Sequence, residues 1–317
     1  MREFAFELSL CAHIEREDGI VSRQLGGAVA APGSRILDIV HIEPGPEFEK
    51  RTAITPETIP GPALEADIGT GKGRYWKECF SIHPDRARGV TERAVEIGFF
   101  ERERRGGRAY VRQTARYPDW FGEITAIENK PDLGSPGKLE RQLRLDVSLG
   151  LVDRVILATE SYVTRAHLNR IPENVGVWRF IEGDIEEIRE PTMLGSENWG
   201  VELRDRNPLR TDISMVSPAE KVRKRCRIAE RAYGKGWRVS PPNCACGAVE
   251  KVAGASVPYC TYYDRIVNPG ECGPSCPGYE EINPSDVDLD VERDRRTPWV
   301  ADPEGRTRKQ VGLSRFS

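Results

Sequence analysis

The sequence predicts an α/β protein with a mixed sheet, and three observations support this prediction. Residues 124–130 and 153–159 are apolar stretches of strand length, and the segment between them places Leu139, Leu143 and Val147 at helical spacing. A strand, a helix and a strand joined by short connections predict a parallel pair with a right-handed crossover. Because the chain has 317 residues and one core seldom exceeds roughly 250 to 300, we expect two or three modules.

The first forty residues predict a buried helix and a buried strand. Phe4, Leu8 and Cys11 lie on one helical stripe of an amino-terminal segment that is apolar over much of its surface. Residues 35–42 are β-branched and mostly apolar, which is typical of a buried strand. Asp38 interrupts this strand. A buried carboxylate is costly unless it coordinates or pairs, so Asp38 is a candidate functional acid.

The next segment predicts a small module that ends in a basic hairpin. Prolines at residues 44–62 predict an irregular connection, and residues 75–80 and 84–98 predict two helices. Two short strands on either side of the turn at residues 105–107 then predict a hairpin. Helix, helix and hairpin resemble a winged-helix module, although an ordinary solvated hairpin has the same pattern. Its arginines suit a phosphate backbone and are Arg102, Arg104, Arg105, Arg108 and Arg112.

The last third of the chain predicts a strand at residues 175–180 and a strongly basic helix. Ser217 and Glu220 form a capping-box pattern at the start of this helix, and Gly234 or Gly236 ends it. Residues 217–238 carry eight basic side chains against two acidic ones, the most electropositive segment of the protein. We expect three of the basic side chains to contact DNA, namely Lys221, Lys224 and Arg225.

The strand at residues 124–130 ends in Glu128-Asn129-Lys130, which predicts a catalytic site. Side chains alternate along a strand, so Glu128 and Lys130 point the same way. A carboxylate can hold Mg²⁺, and a neighbouring lysine can orient a water or stabilise the charge of a phosphate under attack. The simpler alternative is an ion pair at a strand end, worth about 0 to 1 kcal/mol.

A strand with a Glu-x-Lys end, a downstream helix that carries Gln142 and a second apolar strand together resemble the PD-(D/E)XK nuclease superfamily. The resemblance implies a restriction-endonuclease-like mixed sheet with flanking helices, catalytic Mg²⁺ and DNA as the substrate. The superfamily places an acid on the first helix, an Asp on the second strand, the (D/E)-x-K pair on the third strand and often a Gln on the following helix. The matching positions are Glu7, Asp38, Glu128, Lys130 and Gln142.

Asp119 is an alternative to Asp38 as the second acid. With a tight turn at residues 122–123, Asp119 would lie across from Ala126 and diagonal to Glu128. We favour Asp38 because of its buried strand, and the winged-helix-like module is then an insertion within a hairpin. The whole chain also resembles a family of halophilic archaea without an assigned activity, most closely at residues 4–18, 118–132 and 159–172.

The cysteine distribution predicts a metal site near the carboxyl terminus. Five thiols are interleaved with glycines and prolines, and tight turns around thiols suit tetrahedral Zn²⁺. These thiols are Cys244, Cys246, Cys260, Cys272 and Cys276. A 4Fe-4S cluster is the second possibility, since a proline follows the last cysteine, and free thiols are the third. The other three cysteines are interpreted as packing residues.

These patterns predict five segments and a cytoplasmic DNA-acting protein. The segments are a first core part (1–65), the inserted module (66–115), a second core part (116–215), the basic helix with the cysteine-rich region (216–284) and a poorly ordered tail (285–317). No stretch approaches the roughly 20 apolar residues of a membrane helix, and no signal peptide is recognisable. With a net charge of -3, any DNA-binding surface must come from local clusters.

The favoured function is a Mg²⁺-dependent nuclease acting on DNA, in repair or recombination. The alternatives are a non-catalytic DNA-binding or regulatory protein on an inactivated nuclease fold, and a metal-stabilised adaptor for other repair proteins.

Overall fold

The computed structural model describes residues 2–15, 19–54, 58–114, 116–134, 137–206, 210–282 and 287–301. The helices in these ranges are α1 (Glu3–Ile14), α2 (Phe48–Thr52), α3 (Gly61–Glu65), α4 (Pro84–Glu96), α5 (Leu139–Leu149), α6 (Arg165–Leu168), α7 (Pro218–Lys235) and α8 (Leu289–Arg296). The strands are β1 (Ile20–Gly26), β2 (Ile36–Pro44), β3 (Arg74–Tyr75), β4 (Phe100–Arg105), β5 (Arg108–Gln113), β6 (Phe121–Asn129), β7 (Arg154–Thr159), β8 (Gly176–Ile181), β9 (Asp184–Arg189), β10 (Gly200–Arg206), β11 (Thr211–Val216), β12 (Gly247–Val252), β13 (Ala255–Cys260) and β14 (Arg265–Ile266).

The chain divides into two compact units. The first unit comprises Met1–Pro44 and Phe121–Pro298, and the second comprises Gly45–Trp120 and Trp299–Ser317. The predicted insertion at residues 66–115 lies inside the second unit, which starts directly after β2. The second unit also includes the helices α2 and α3, which lie in the stretch where the prolines predicted an irregular connection.

A six-stranded mixed sheet in the order β1-β2-β6-β7-β8-β9 forms the centre of the first unit. Strands β1, β2 and β6 pair antiparallel, whereas β6, β7 and β8 are parallel and β9 returns antiparallel. The predicted parallel pair is therefore confirmed, and the fold is α/β with a mixed sheet and flanking helices. The edge strand β1 was not predicted, because polar residues follow its first two apolar positions.

One face of this sheet is covered by apolar side chains of α1. Phe6 and Leu8 pack in one buried cluster with Ile39 of β2, Ile127 of β6 and Ile156 of β7. Since successive side chains of a strand point to opposite faces, Glu128, next to Ile127, points to the other face. The packing of α1 against Ile127 therefore fixes the direction of the Glu128 side chain.

The second unit has its own apolar core and a three-stranded antiparallel sheet in the order β3-β5-β4. The predicted hairpin is formed by β4 and β5, and its two turn residues, Gly106 and Gly107, have φ of 54° and 77°. Two left-handed residues are what a two-residue hairpin turn requires. The helix predicted at residues 75–80 is instead the end of β3 followed by one 3₁₀ turn at Trp76–Glu78.

The carboxyl-terminal part holds α7, a small sheet of β12, β13 and β14, and α8. The predicted capping box of α7 is confirmed, since Ser217 and Glu220 each bind the other's backbone N–H. Part of the predicted disordered tail is ordered, because α8 lies within it and its Arg293 donates to Tyr233 O at 2.7 Å. Residues 302–317 of that tail lie outside the described residues. No helix in the described ranges is long and apolar enough to cross a membrane.

Candidate active site

Asp38 and Glu128 lie near each other where the pairing of β2 with β6 ends. Ile39 pairs with Ile127 and Val40 with Ala126, and beyond this last pair the Asn129 N–H donates to Asp38 Oδ2 at 3.1 Å. The charge of Asp38 raises the pKa of Glu128, so the two carboxylates are close enough to interact. The two acids are therefore close in space despite the long insertion between β2 and β6. The choice of Asp38 as the second acid required this proximity.

Glu7 of α1 joins Asp38 through the side-chain amide of Gln24. The Gln24 Nε2 atom donates to Glu7 Oε1 at 3.0 Å and lies 3.5 Å from Asp38 Oδ1. Gln24 has a left-handed φ of 54°, a conformation that costs energy in a residue with a side chain. Arg23 binds both carboxylate oxygens of Glu7, at 2.9 and 3.1 Å. The α1 acid is thus buried, paired and held beside the β2 acid.

Glu128 pairs with Arg35 rather than with Lys130. Arg35 Nη2 lies 2.7 Å from Glu128 Oε2, and the same guanidinium binds both oxygens of Asp146 on α5, at 2.9 and 2.6 Å. Because Asp146 occupies the guanidinium in a bidentate pair, Arg35 is fixed in place. The simple Glu128–Lys130 ion pair is therefore not the arrangement observed.

Lys130 continues the pairing of β6 with β7. Its N–H donates to Ala158 O at 2.9 Å, so strand alternation extends past Asn129 and places the Lys130 side chain on the same side as Glu128. In the described part of the chain, the Lys130 ammonium has no ion-pair partner. It is therefore available to a water or a phosphate.

Burial raises the pKa of both acids. The pKa of Asp38 rises to about 6, because desolvation and the nearby Glu7 outweigh the hydrogen bond from Asn129 N–H. The pKa of Glu128 rises to about 7, because desolvation and the charge of Asp38 outweigh the effect of Arg35. Within the described ranges Asp38 has no ion-pair partner. Both shifts have the same physical causes, which are desolvation and the nearness of other carboxylates.

The oxygen donors at this position suit Mg²⁺. Among the described residues, no group of three or more His, Cys, Asp and Glu side chains is arranged to hold a metal ion. Mg²⁺, however, keeps several waters and commonly takes only one or two protein carboxylates together with substrate phosphates. Asp38 and Glu128 fit this smaller donor set.

Asp119 and Gln142 do not join the cluster of acids. Asp119 is exposed in the second unit, where its N–H donates to Glu47 Oε2 at 2.8 Å. The hairpin that would have placed it near Glu128 is not formed, because β6 is a continuous strand and Ala126 faces Val40. Gln142 is half-buried on α5, one turn before Asp146, and its side chain forms no hydrogen bond within the described ranges.

Arg35 and Asp146 are the site residues that sequence reasoning missed. Asp146 lies next to Val147, at the edge of the apolar stripe of α5, where an acid is unusual. Arg35 comes directly before β2, in the same segment as Asp38. Each signal was visible, but only the folded structure shows that the two side chains pair.

Two basic residues assigned to DNA contact have structural roles instead. Lys221 is 1% exposed, and its Nζ donates to Gly150 O at 3.0 Å. Arg225 donates to Leu151 O at 3.0 Å and binds Asp153 at 2.7 Å. They attach α7 to the segment after α5, so they are not available to a phosphate. Lys224 is half-buried, and burial with nearby arginines lowers its pKa to about 8.

The hairpin arginines remain at the surface of the second unit. Arg105 pairs with Glu103 and Arg112 with Glu101, each at 2.7 Å, in exposed ion pairs that contribute little to stability. The other three, Arg102, Arg104 and Arg108, are also exposed.

Four of the five predicted cysteine ligands lie side by side in the first unit. The Cys246 sulfur is 3.3 Å from the Cys244 sulfur and 3.9 Å from that of Cys260. The pKa of the Cys272 thiol is raised by burial and by the nearby Cys260, Cys246 and Cys276, and Cys244 acts in the opposite direction. The Cys276 thiol raises the pKa of the Tyr263 hydroxyl.

Asp38→Asn is expected to stabilise the folded protein at neutral and alkaline pH. Because the folded-state pKa of Asp38 is raised, the wild type loses stability as pH rises from about 4 through about 6, and an asparagine does not titrate. Asparagine can still accept from Asn129 N–H, so we expect a gain of roughly 1 to 3 kcal/mol at pH 8 and little gain at pH 4. Urea denaturation at both pH values measures this. A less stable variant at pH 8 would show that Asp38 is a structural acid.

Comparison with known proteins identifies one family. A family model described as "Family of unknown function (DUF5787)" matches residues 20–281, which include β1, β2, β6 and the cysteine-rich region. Neither a curated protein nor a solved structure matches the chain. The match spans most of the sequence, and the chain therefore belongs to the DUF5787 family.

Proposed function

We propose that this protein is a Mg²⁺-dependent nuclease of the PD-(D/E)XK type that acts on DNA. The observation that carries the proposal is the proximity of two acids on neighbouring strands, half-buried Asp38 and buried Glu128, with Lys130 two residues after Glu128. The order of elements also agrees with the resemblance. The first unit contains, in this order along the chain, a helix with Glu7 (α1), two strands (β1 and β2), the strand that ends in Glu-x-Lys (β6), a helix with Gln142 (α5) and a parallel strand (β7).

Each residue has a distinct role in this proposal. Bound Mg²⁺ would neutralise the scissile phosphate and lower the pKa of the attacking water. Asp38 and Glu128 would hold the ion, and Lys130 would orient the water or stabilise charge on the phosphate. Glu7 supports Asp38 through the Gln24 amide.

Arg35 is a positioning residue in this scheme. Its bidentate pair with Asp146 through Nε and Nη2 anchors the guanidinium, and Nη2 also donates to Glu128. Supporting hydrogen bonds of this kind orient a carboxylate ligand and tune its affinity for a metal.

An aromatic surface on the sheet of the second unit supports DNA as the ligand. The rings of Tyr75 and Tyr110 lie 6.0 Å apart, and Arg105 and Arg108 each cover one of them, at 5.5 and 5.6 Å. Aromatic rings stack on bases, and guanidinium groups bind phosphates and also stack. We therefore place the DNA contact of the second unit on this face.

A non-catalytic DNA-binding protein is the second candidate, and the position of Arg35 favours it. A guanidinium already neutralises Glu128 at 2.7 Å, as a cation would in a nuclease fold that has lost its metal. In that case the aromatic face of the second unit would carry the function.

Incubation of the purified protein with single-stranded, duplex and branched DNA distinguishes the two candidates. The nuclease predicts cleavage of at least one form with Mg²⁺ and none with EDTA. The second candidate predicts binding that weakens steeply with salt, without cleavage under either condition. A protein that neither cleaves nor binds any of the three forms would contradict both.

A further inference from the structure

We infer that Cys244, Cys246, Cys260 and Cys272 bind one structural Zn²⁺ ion and that Cys276 is not a ligand. This site is separate from the acids of the proposed nuclease. It goes beyond the sequence pattern, which offered five thiols without distinguishing among them.

Two distances between sulfur atoms match those of a single tetrahedral ion, although the described side chains form no preformed group of three ligands. Zn–S bonds of about 2.3 Å separate the sulfurs of a tetrahedral site by roughly 3.8 Å. The measured separations are 3.3 Å for Cys244 and Cys246 and 3.9 Å for Cys246 and Cys260. Cys272 lies near enough to Cys244, Cys246 and Cys260 for these thiols to shift its pKa, and it supplies the fourth sulfur.

The turn at residues 244–247 is built to bring two thiols together. Gly247 N–H donates to Cys244 O at 2.7 Å, and this hydrogen bond closes a four-residue turn that contains both cysteines. A Cβ atom at Gly247 would lie only 2.2 Å from Pro242 O, so the turn requires glycine. The backbone is therefore shaped around Cys244 and Cys246.

The other two thiols reach the turn from separate segments. Cys260 ends β13 and pairs with Gly247, and Thr261 N–H donates to Cys246 O at 2.9 Å. Cys272 follows a 3₁₀ turn, Pro269–Glu271, and its N–H donates to Pro269 O at 3.1 Å. Three chain segments thus contribute thiols to one place, as is usual when a structural metal stabilises a small polar fold.

The same distances argue against the 4Fe-4S alternative. In such a cluster each thiolate binds a different iron atom, so the sulfurs lie further apart than thiolates that share one ion. The sulfurs of Cys244 and Cys260 lie 3.3 and 3.9 Å from the sulfur of Cys246, and these separations fit ligands of one ion. A closed set of four thiolates and no open position is typical of structural zinc.

Metal content and thiol substitution test this site without any DNA assay. Full-length protein is purified, equilibrated with Zn²⁺, dialysed and analysed by mass spectrometry, with one Zn²⁺ per chain as the expected result. Cys246→Ser and Cys272→Ser are expected to lose the ion, whereas Cys276→Ser and the control Cys226→Ser on α7 should retain it. Loss of zinc from Cys276→Ser equal to that from Cys272→Ser would overturn the assignment.

Co²⁺ substitution of the wild type provides a measurement that does not depend on the folding of variants. Four thiolates predict tetrahedral Co²⁺ with strong sulfur-to-cobalt charge-transfer absorption, displaced by Zn²⁺. Wild-type protein that binds neither ion, or that contains iron and acid-labile sulfide, would exclude the zinc site. Since neither result involves cleavage, the proposed function stands or fails separately.

Discussion

Glu128→Gln is expected to reduce Mg²⁺-dependent DNA cleavage about 10³-fold or more. A metal ion supplies several kcal/mol of charge stabilisation to the transition state, and about 4 kcal/mol corresponds to a 10³-fold change in rate. A neutral amide is a poor ligand for Mg²⁺ and removes the negative charge that lies near Asp38. The rate of cleavage of the preferred DNA form at saturating Mg²⁺ is the measurement.

The fold of this variant should be preserved. A glutamine oxygen can still accept from Arg35, and Arg35 keeps its two bonds to Asp146. Glu123→Gln is the matched control, because Glu123 lies on the same strand and also pairs with an arginine, Arg154, at 2.9 Å. Full activity of Glu128→Gln, or an equal loss in Glu123→Gln, would show that Glu128 has no special role in cleavage.

Glu15→Ala is expected to lower the free energy of unfolding by about 3 to 5 kcal/mol, since it removes one partner of a buried ion pair. Glu15 is 1% exposed and accepts from Trp237 Nε1 at 2.8 Å, from Arg238 at 2.7 and 2.8 Å, and from Arg296 at 3.0 Å. The Arg238 side chain is 6% exposed and would keep Glu292, at 3.2 Å, as its ion-pair partner among the described residues. Urea denaturation of both proteins gives the difference.

The surface pair of Glu96 with Arg93 provides the comparison. Both side chains are exposed, so Glu96→Ala should change stability by less than about 0.5 kcal/mol. An equally small change in the free energy of unfolding of Glu15→Ala would mean that the hydrogen bonds and ion pairs of Glu15 do not stabilise the fold. The network matters for the site, because Glu15 follows α1, the helix that carries Glu7, and connects it to α8 and the segment after α7.

The central sheet could be predicted where strands were apolar and long. Strands β2, β6 and β7 were visible from their β-branched residues, and the crossover through α5 followed from their order. The helices α2 and α3 were not visible, because each has only five residues and such short helices depend on tertiary packing. Ala63 of α3 is fully buried in the core of the second unit, a contact that no local pattern reveals.

Charged residues were the least predictable part of the candidate site. Asp38 and Glu128 were found because each is a charged residue inside an apolar segment that has the pattern of a strand. Lys221 and Arg225 were misassigned, because a basic helix resembles a DNA-binding surface whether or not its charges face solvent. Their N–H groups bind carbonyls and Asp153, and sequence alone does not show which basic side chains are used in this way.

Mn²⁺ binding, followed by electron paramagnetic resonance, is the most direct measurement of the proposed metal site. Mn²⁺ prefers oxygen ligands and replaces Mg²⁺, so it reports on the acids rather than on the cysteines. We predict that the wild type binds Mn²⁺ in competition with Mg²⁺ and that Asp38→Asn and Glu128→Gln each weaken binding at least about 10-fold, whereas Glu123→Gln does not. Equal Mn²⁺ affinity in the wild type and both variants would contradict a metal site shared by β2 and β6.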